Sequence, residues 1–125
     1  MPATAEIRRH WDRVASLNCI LTGRFAEIAH CHSGSMLLLP PEFHPGVAQK
    51  QNDWLVLPLA PEIHRIGPDS LDGGSAKDWE AHWGYTQLEL LQELSGMLGY
   101  SVYEKAGISP GLVSGLIANL QPRLA

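Results

Sequence analysis

The stretch EIAHCHSGSM sets His30 and His32 one residue apart, with Cys31 between them and a Ser-Gly-Ser turn behind. Imidazoles at that spacing share one side of an extended chain. There they can act as metal ligands, as a general base with a helper, or as a hydrogen-bonded pair closing a strand end. Further on, Asn52 and Asp53 open the apolar run NDWLVLPL, and His64 follows in PEIHR. A neutral imidazole can take a proton from water, and a carboxylate or amide oxygen with a second imidazole can hold a divalent ion. That ion would offset charge on a phosphate under attack and on its leaving oxygen. Phosphodiester hydrolysis needs little more. Cys31 faces away from its neighbours and reads as a small core residue. His10, His44 and His82 read as structural histidines, and the tryptophans as core.

The elements that must position these groups follow from local signals. Thr4 caps a first helix carrying Ile7, Trp11 and Val14, ending near Leu17. NCILTGRFAEIAHCH predicts a turn at Thr22-Gly23 between two short extended segments, with Ala26, Ile28, His30 and His32 on one face of the second. Residues 33–51 read as a long loop broken by Gly and Pro, and a buried strand then ends at Pro58. Pro61 suits the first position of a short helix bearing His64. Ser75 begins a helix with Trp79 and Trp83, Thr86 and Glu89 form a capping box for the next, and Ser109-Pro110 starts the last.

The 125 residues, 45% hydrophobic and 18% charged, suffice for one domain with a core that needs no disulfides. Cys19 and Cys31 make no disulfide framework, the N-terminus has no signal-peptide pattern, and no apolar run is long enough to span a membrane. The expected setting is therefore cytoplasmic, without membrane contact. The formal charge of −4 arises wholly after residue 65, since residues 1–65 hold six basic and six acidic side chains. A locally basic face in the first half is therefore compatible with a nucleic-acid partner.

Taken in order, RRHWDRVASLNCILTG, AEIAHCHSGSM, KQNDWLVLPLAPEIHR and DWEAHWGYTQLELL resemble the HNH, or ββα-metal, endonucleases over about residues 8–92. The narrower likeness is to phage recombination enhancement nucleases of the Ref type, which depend on RecA. The resemblance implies an α+β domain, residues 1–125. A ββα-metal core hairpin and short helix (about 19–66) would be wrapped by an N-terminal helix and two or three C-terminal helices (about 75–125).

It implies a phage DNA endonuclease acting in recombination or DNA processing in the host cytoplasm, with DNA and a RecA–DNA filament as partners. His30 would be the base, Asn52 and Asp53 would take the middle HNH position, and His64 would ligate one divalent ion (Mg²⁺, Mn²⁺ or Zn²⁺). Lys50, Arg65 and Arg24 would contact DNA phosphates.

Two departures qualify the implied site. Relatives hold a structural zinc through Cys-x-x-Cys and Cys-x-x-His, but here only Cys19 stands, with Thr22, Ala60 and Ile63 in the other places. One thiolate cannot hold that zinc, so none is expected. Ala29 stands where a metal-binding Asp or His precedes the base. Either Asp53, His64 and water suffice for the ion, or His32 supplies the missing ligand, and the roles of His30 and His32 are interchangeable at this level. The departures also motivate a rival: an inactive DNA-binding or protein-interaction module on a decayed HNH scaffold. Finally, residues 109–122 hold no charged side chain, while Leu112, Val113, Leu116, Ile117 and Leu120 form an apolar stripe. That stripe must pack under the helices of Trp79 and Leu91 or against its twin in a homodimer, which is favoured for cutting two strands.

Overall fold

The computed structural model describes residues 4–44 and 53–124. Helix α1 (Ala5–Ser16) begins where the Thr4 hydroxyl accepts the Ile7 N–H at 3.1 Å. This satisfies a donor that the first helical turn leaves without a partner. Its buried positions Ile7, His10 and Val14 lie on one helical face. His10 is a structural histidine: its Nδ1 meets the Tyr100 hydroxyl at 2.7 Å and its Nε2 the Trp54 carbonyl at 3.1 Å.

The turn around Gly23 forms, closed by the Gly23 N–H on the Cys19 carbonyl at 2.8 Å and the Cys19 N–H on the Arg24 carbonyl at 2.7 Å. The segment before it, however, is not a strand. Its backbone is used up in this tight loop and in one bond from the Ile20 N–H to Pro58. Strand β1 (Glu27–His30) pairs instead with β2 (Val56–Leu59), antiparallel, with His30 opposite Val56 and Ile28 opposite Pro58. Pro58 fits inside β2 because its carbonyl turns away from β1 to accept from Ile20, so its missing N–H falls on the edge without a strand. All four β2 residues are buried, as α1 and α4 both pack on this strand.

Helix α2 (Pro61–His64) follows β2 after one residue, and α3 (Ala76–Trp83), α4 (Gln87–Leu98), α5 (Val102–Lys105) and α6 (Pro110–Leu124) complete the order. Among the described residues, four helices thus follow residue 75 where two or three were expected; the addition is the single-turn α5. Ser75 caps α3, and the Thr86–Glu89 capping box starts α4. The architecture is mixed α and β, mostly helical, with one two-stranded antiparallel hairpin. No helix among the described residues is long and apolar enough to cross a membrane.

One hydrophobic cluster runs from Val14 to Ile117, centred on Leu57, Leu59, Leu88, Leu91 and Leu94. Trp79 lies in it with its Nε1–H on the Ile63 carbonyl at 3.2 Å, whereas Trp11, Trp54 and Trp83 are only half-buried. The α6 stripe divides. Val113 and Ile117 are buried within the chain, while Leu112 is exposed. Leu91→Ala should therefore cost about 3 kcal/mol by leaving a cavity. Leu112→Ala should change stability by no more than about 0.5 kcal/mol. Urea denaturation of both variants checks the difference, and a concentration-dependent loss for Leu112→Ala would reveal a homodimer contact.

Candidate functional site

His30 is the last residue of β1, and the strand alternation that buries Ala29 and Cys31 turns its imidazole outward, with the side chain 49% exposed. Its Nε2 lies 3.5 Å from Asp53 Oδ1. Trp11 of α1 holds both partners: its indole meets the His30 ring edge-on at 5.8 Å, and its Nε1–H donates to the Asp53 carbonyl at 2.8 Å. The His30–Asp53 contact is an ion pair and not a hydrogen bond; a tautomer protonated at Nε2 leaves the lone pair on Nδ1, which has no partner among the described residues. An exposed imidazole nitrogen backed by a carboxylate is suited to accept a proton from water.

A second constellation lies beside it. Asp72 Oδ1 meets His32 Nε2 in a hydrogen bond of 2.6 Å, and its Oδ2 lies 2.9 Å from His64 Nε2 as an ion-pair contact. His64 Nδ1 meets Glu27 Oε2 at 2.6 Å, and Arg65 grips the same carboxylate through Nε at 2.6 Å and Nη2 at 3.2 Å. The Arg65 guanidinium, assisted by His64, holds the Glu27 carboxyl below the usual carboxylate range, and Glu27 raises Arg65 in turn. Glu27 shares a strand face with Ala29, and from there its carboxylate reaches His64.

Asp72 gets there because its loop docks back onto α2. Its N–H bonds the His64 carbonyl at 2.8 Å, the Leu71 N–H bonds the Ile63 carbonyl at 2.9 Å, and Leu71 is fully buried. The loop can close this tightly only with glycine at 73, where a Cβ would lie 2.1 Å from the Gly67 carbonyl oxygen.

His32 is held by its backbone. Gln87, fully buried at the start of α4, accepts the His32 N–H at 2.9 Å and donates to the His32 carbonyl at 2.9 Å. Glu80 of α3 in turn accepts from the Ser35 N–H at 2.9 Å, from the Ser35 hydroxyl and from the Gln87 N–H at 2.7 Å. Between them Ser33 adopts a φ of 56°, a conformation that costs a non-glycine residue about 1 kcal/mol or more.

The expected site residues therefore separate. His32 and His64 come together, but through Asp72, while Asp53 goes to His30 instead of joining His64. Arg65 is committed to Glu27, and Arg24 makes an exposed pair with Glu62 at 3.4 Å. Lys50 and Asn52 lie outside the described residues. Cys31 is buried, and burial above all pushes its thiol well up, in keeping with a core role. Burial also acts to raise Cys19. Hydrogen bonds from the Thr22 hydroxyl and from the backbone at Ala60, Leu21 and Thr22 outweigh it, and the thiol is lowered. Cys19, Ala60 and Ile63 are all buried.

No family model, curated protein or solved structure matches this chain. The chemistry must therefore be read from the side chains alone. Two imidazoles and a carboxylate are donor types that a divalent ion accepts. As placed, they contact one another, and among the described residues no three His, Cys, Asp or Glu side chains are grouped to hold an ion. Sequence reasoning missed Asp72, Glu27, Glu80 and Gln87. Only Glu27 carried a local signal, its strand parity with Ala29.

Two outcomes are expected. Gln87→Ala leaves the His32 backbone and the Glu80 carboxylate short of partners, and should cost about 2 kcal/mol or more in urea denaturation. A strong chelator should leave the thermal midpoint unchanged, because the loop at Cys19 is held by backbone donors and apolar packing; a large drop would expose a structural metal.

Proposed function

We propose that this chain is a metal-dependent DNA endonuclease of the HNH type. In this reading β1, β2 and α2 are the ββα-metal core, and the protein acts in phage recombination or DNA processing in the host cytoplasm, with DNA and a RecA–DNA filament as partners. The observation that carries it is the exposed His30–Asp53 pair at the end of β1, next to the His32–Asp72–His64 chain. His30 Nδ1 takes a proton from water, and the water oxygen bonds to phosphorus as the bond to the leaving ester oxygen breaks. That oxygen is protonated from solvent. Asp53 holds the His30 ring and balances the positive charge it acquires. To hold one divalent ion (Mg²⁺, Mn²⁺ or Zn²⁺), His64, His32 and Asp72 would have to exchange their contacts with one another for the ion, which when bound would supply charge neutralisation at the phosphate. A homodimer would use Leu112, the exposed part of the α6 stripe.

One observation favours the rival reading, an inactive DNA-binding or protein-interaction module. Both nitrogens of His64 and the Arg65 fork already face carboxylates, so the network needs no ligand to hold it. Cleavage of plasmid and single-stranded DNA with each ion, with and without RecA, separates the two. Under the nuclease reading His30→Ala lowers cleavage about 100-fold or more, while DNA affinity is retained because the base acts on water. Unchanged cleavage in this variant removes His30 from the mechanism, and no cleavage by the unsubstituted protein under any condition favours the inactive module.

A further inference from the structure

Arg24 and Arg65 pair with Glu62 and Glu27, and most of the other cations among the described residues lie together on another face. Arg8, Arg9 and Arg13 are exposed on α1, and Lys105 ends α5 beside them. Arg13 lies over the Tyr100 ring at 5.8 Å, and the Lys105 ammonium lies 5.7 Å from the Trp54 ring and 6.0 Å from that of Tyr100. Arg9 joins these groups around a cleft of about 130 Å³. His10, buried beneath, bonds both the Tyr100 hydroxyl and the Trp54 carbonyl, so the rings that carry the cations are fixed from below. A second, wider cleft shares Arg9 and adds Arg8, Trp11 and Asp12. Trp11 is the residue that touches both His30 and Asp53.

Charge decides what such a surface fits. Glu6 (3.5 Å from the Lys105 ammonium) and Asp12 are the acids lining the two clefts, against Arg8, Arg9, Arg13 and Lys105. The balance is four cations to two anions on a chain whose total is −4. Arg9 and Arg13, one helical turn apart, repeat their charge along the helix as a phosphate backbone does. Cations stand over the Trp54 and Tyr100 rings, which leaves charge as the principal means of contact there.

We propose that the outer surface of α1, together with Lys105, is a sequence-independent nucleic-acid interface that holds the phosphate backbone and leads it past Trp11 to His30. The proposal rests on the nuclease reading. It moves the principal phosphate contacts away from Arg24 and Arg65 to a helix outside the hairpin and α2.

Fluorescence anisotropy tests it, using labelled single-stranded and duplex oligonucleotides over a sodium chloride series in chelator, where no cleavage occurs. Each phosphate contact contributes about 0.7–0.9 to the slope of log affinity against log salt. Arg9→Ala/Arg13→Ala/Lys105→Ala should therefore lower the slope by about 2 and weaken binding more than tenfold at low salt. Arg9→Lys/Arg13→Lys should keep the slope, and Lys77→Glu on α3 should leave binding as it was. A triple variant with the original slope and affinity overturns the interface while leaving the nuclease reading intact. So does an equal loss in Lys77→Glu, which would mean that only net charge matters. Failure of the unsubstituted protein to bind either oligonucleotide defeats both readings, as does binding to phosphatidylserine vesicles in place of DNA.

Discussion

A carboxylate that folding has taken out of water must be met by donors, and Glu80 is the group on which this structure turns. At 6% exposure it is buried on α3, and its donors come from Ser35 and from the first residue of α4. Removing either would strand a buried polar group or charge, a large penalty beside the marginal stability of a small domain. One side chain thereby ties the turn after β1 to two C-terminal helices. The Gly34 backbone passes so close that a Cβ there would lie 2.6 Å from Glu80 Oε1, so the turn has no room for a larger residue. Gln87 extends the same network to both backbone groups of His32. The position of His32 is thus set by α4, whose Gln87 lies 55 residues further along the chain.

The strand carries two kinds of chemistry because its faces differ. Ala29 and Cys31 enter the core, and this leaves His30 at the rim against Trp11 and Asp53. Glu27 sits where α2 can reach it, and His64 and Arg65 share its two oxygens. Two imidazole–carboxylate systems therefore occur side by side, one open to water and one closed on itself. The open pair is suited to moving a proton. The closed chain has the donor types of a cation site, with its donors at present satisfying one another.

The Cys19 loop owes its shape to backbone hydrogen bonds and apolar burial. Cys19, Ala60 and Ile63 are all buried, and the Gly23 N–H on the Cys19 carbonyl closes the turn. Backbone N–H groups and the Thr22 hydroxyl surround the thiol, and apolar burial does the rest. The stabilisation is spread over many weak contacts.

What the sequence determined by itself was whatever is decided within a few residues. Thr4, Ser75 and the Thr86–Glu89 box start helices because a side-chain oxygen meets an N–H three residues on, and Pro61 and Pro110 stand where a missing N–H costs nothing. The apolar periodicity likewise marked Val113 and Ile117 as a buried stripe, and alternation set His30 apart from Cys31. Tertiary structure decided which distant groups meet. The segment before Gly23 had strand-like residues, but strands need a partner, and β1 found it in β2. Asp72 stood in a Gly-rich turn with nothing local to mark it, and docking of that turn on α2 carried it between two imidazoles. Asp53 lay in the sequence near where a ligand of His64 was sought, but the packing of Trp11 gave it to His30. Hydrogen bonds across forty or more residues depend on the path of the whole chain, and no local spacing encodes that path.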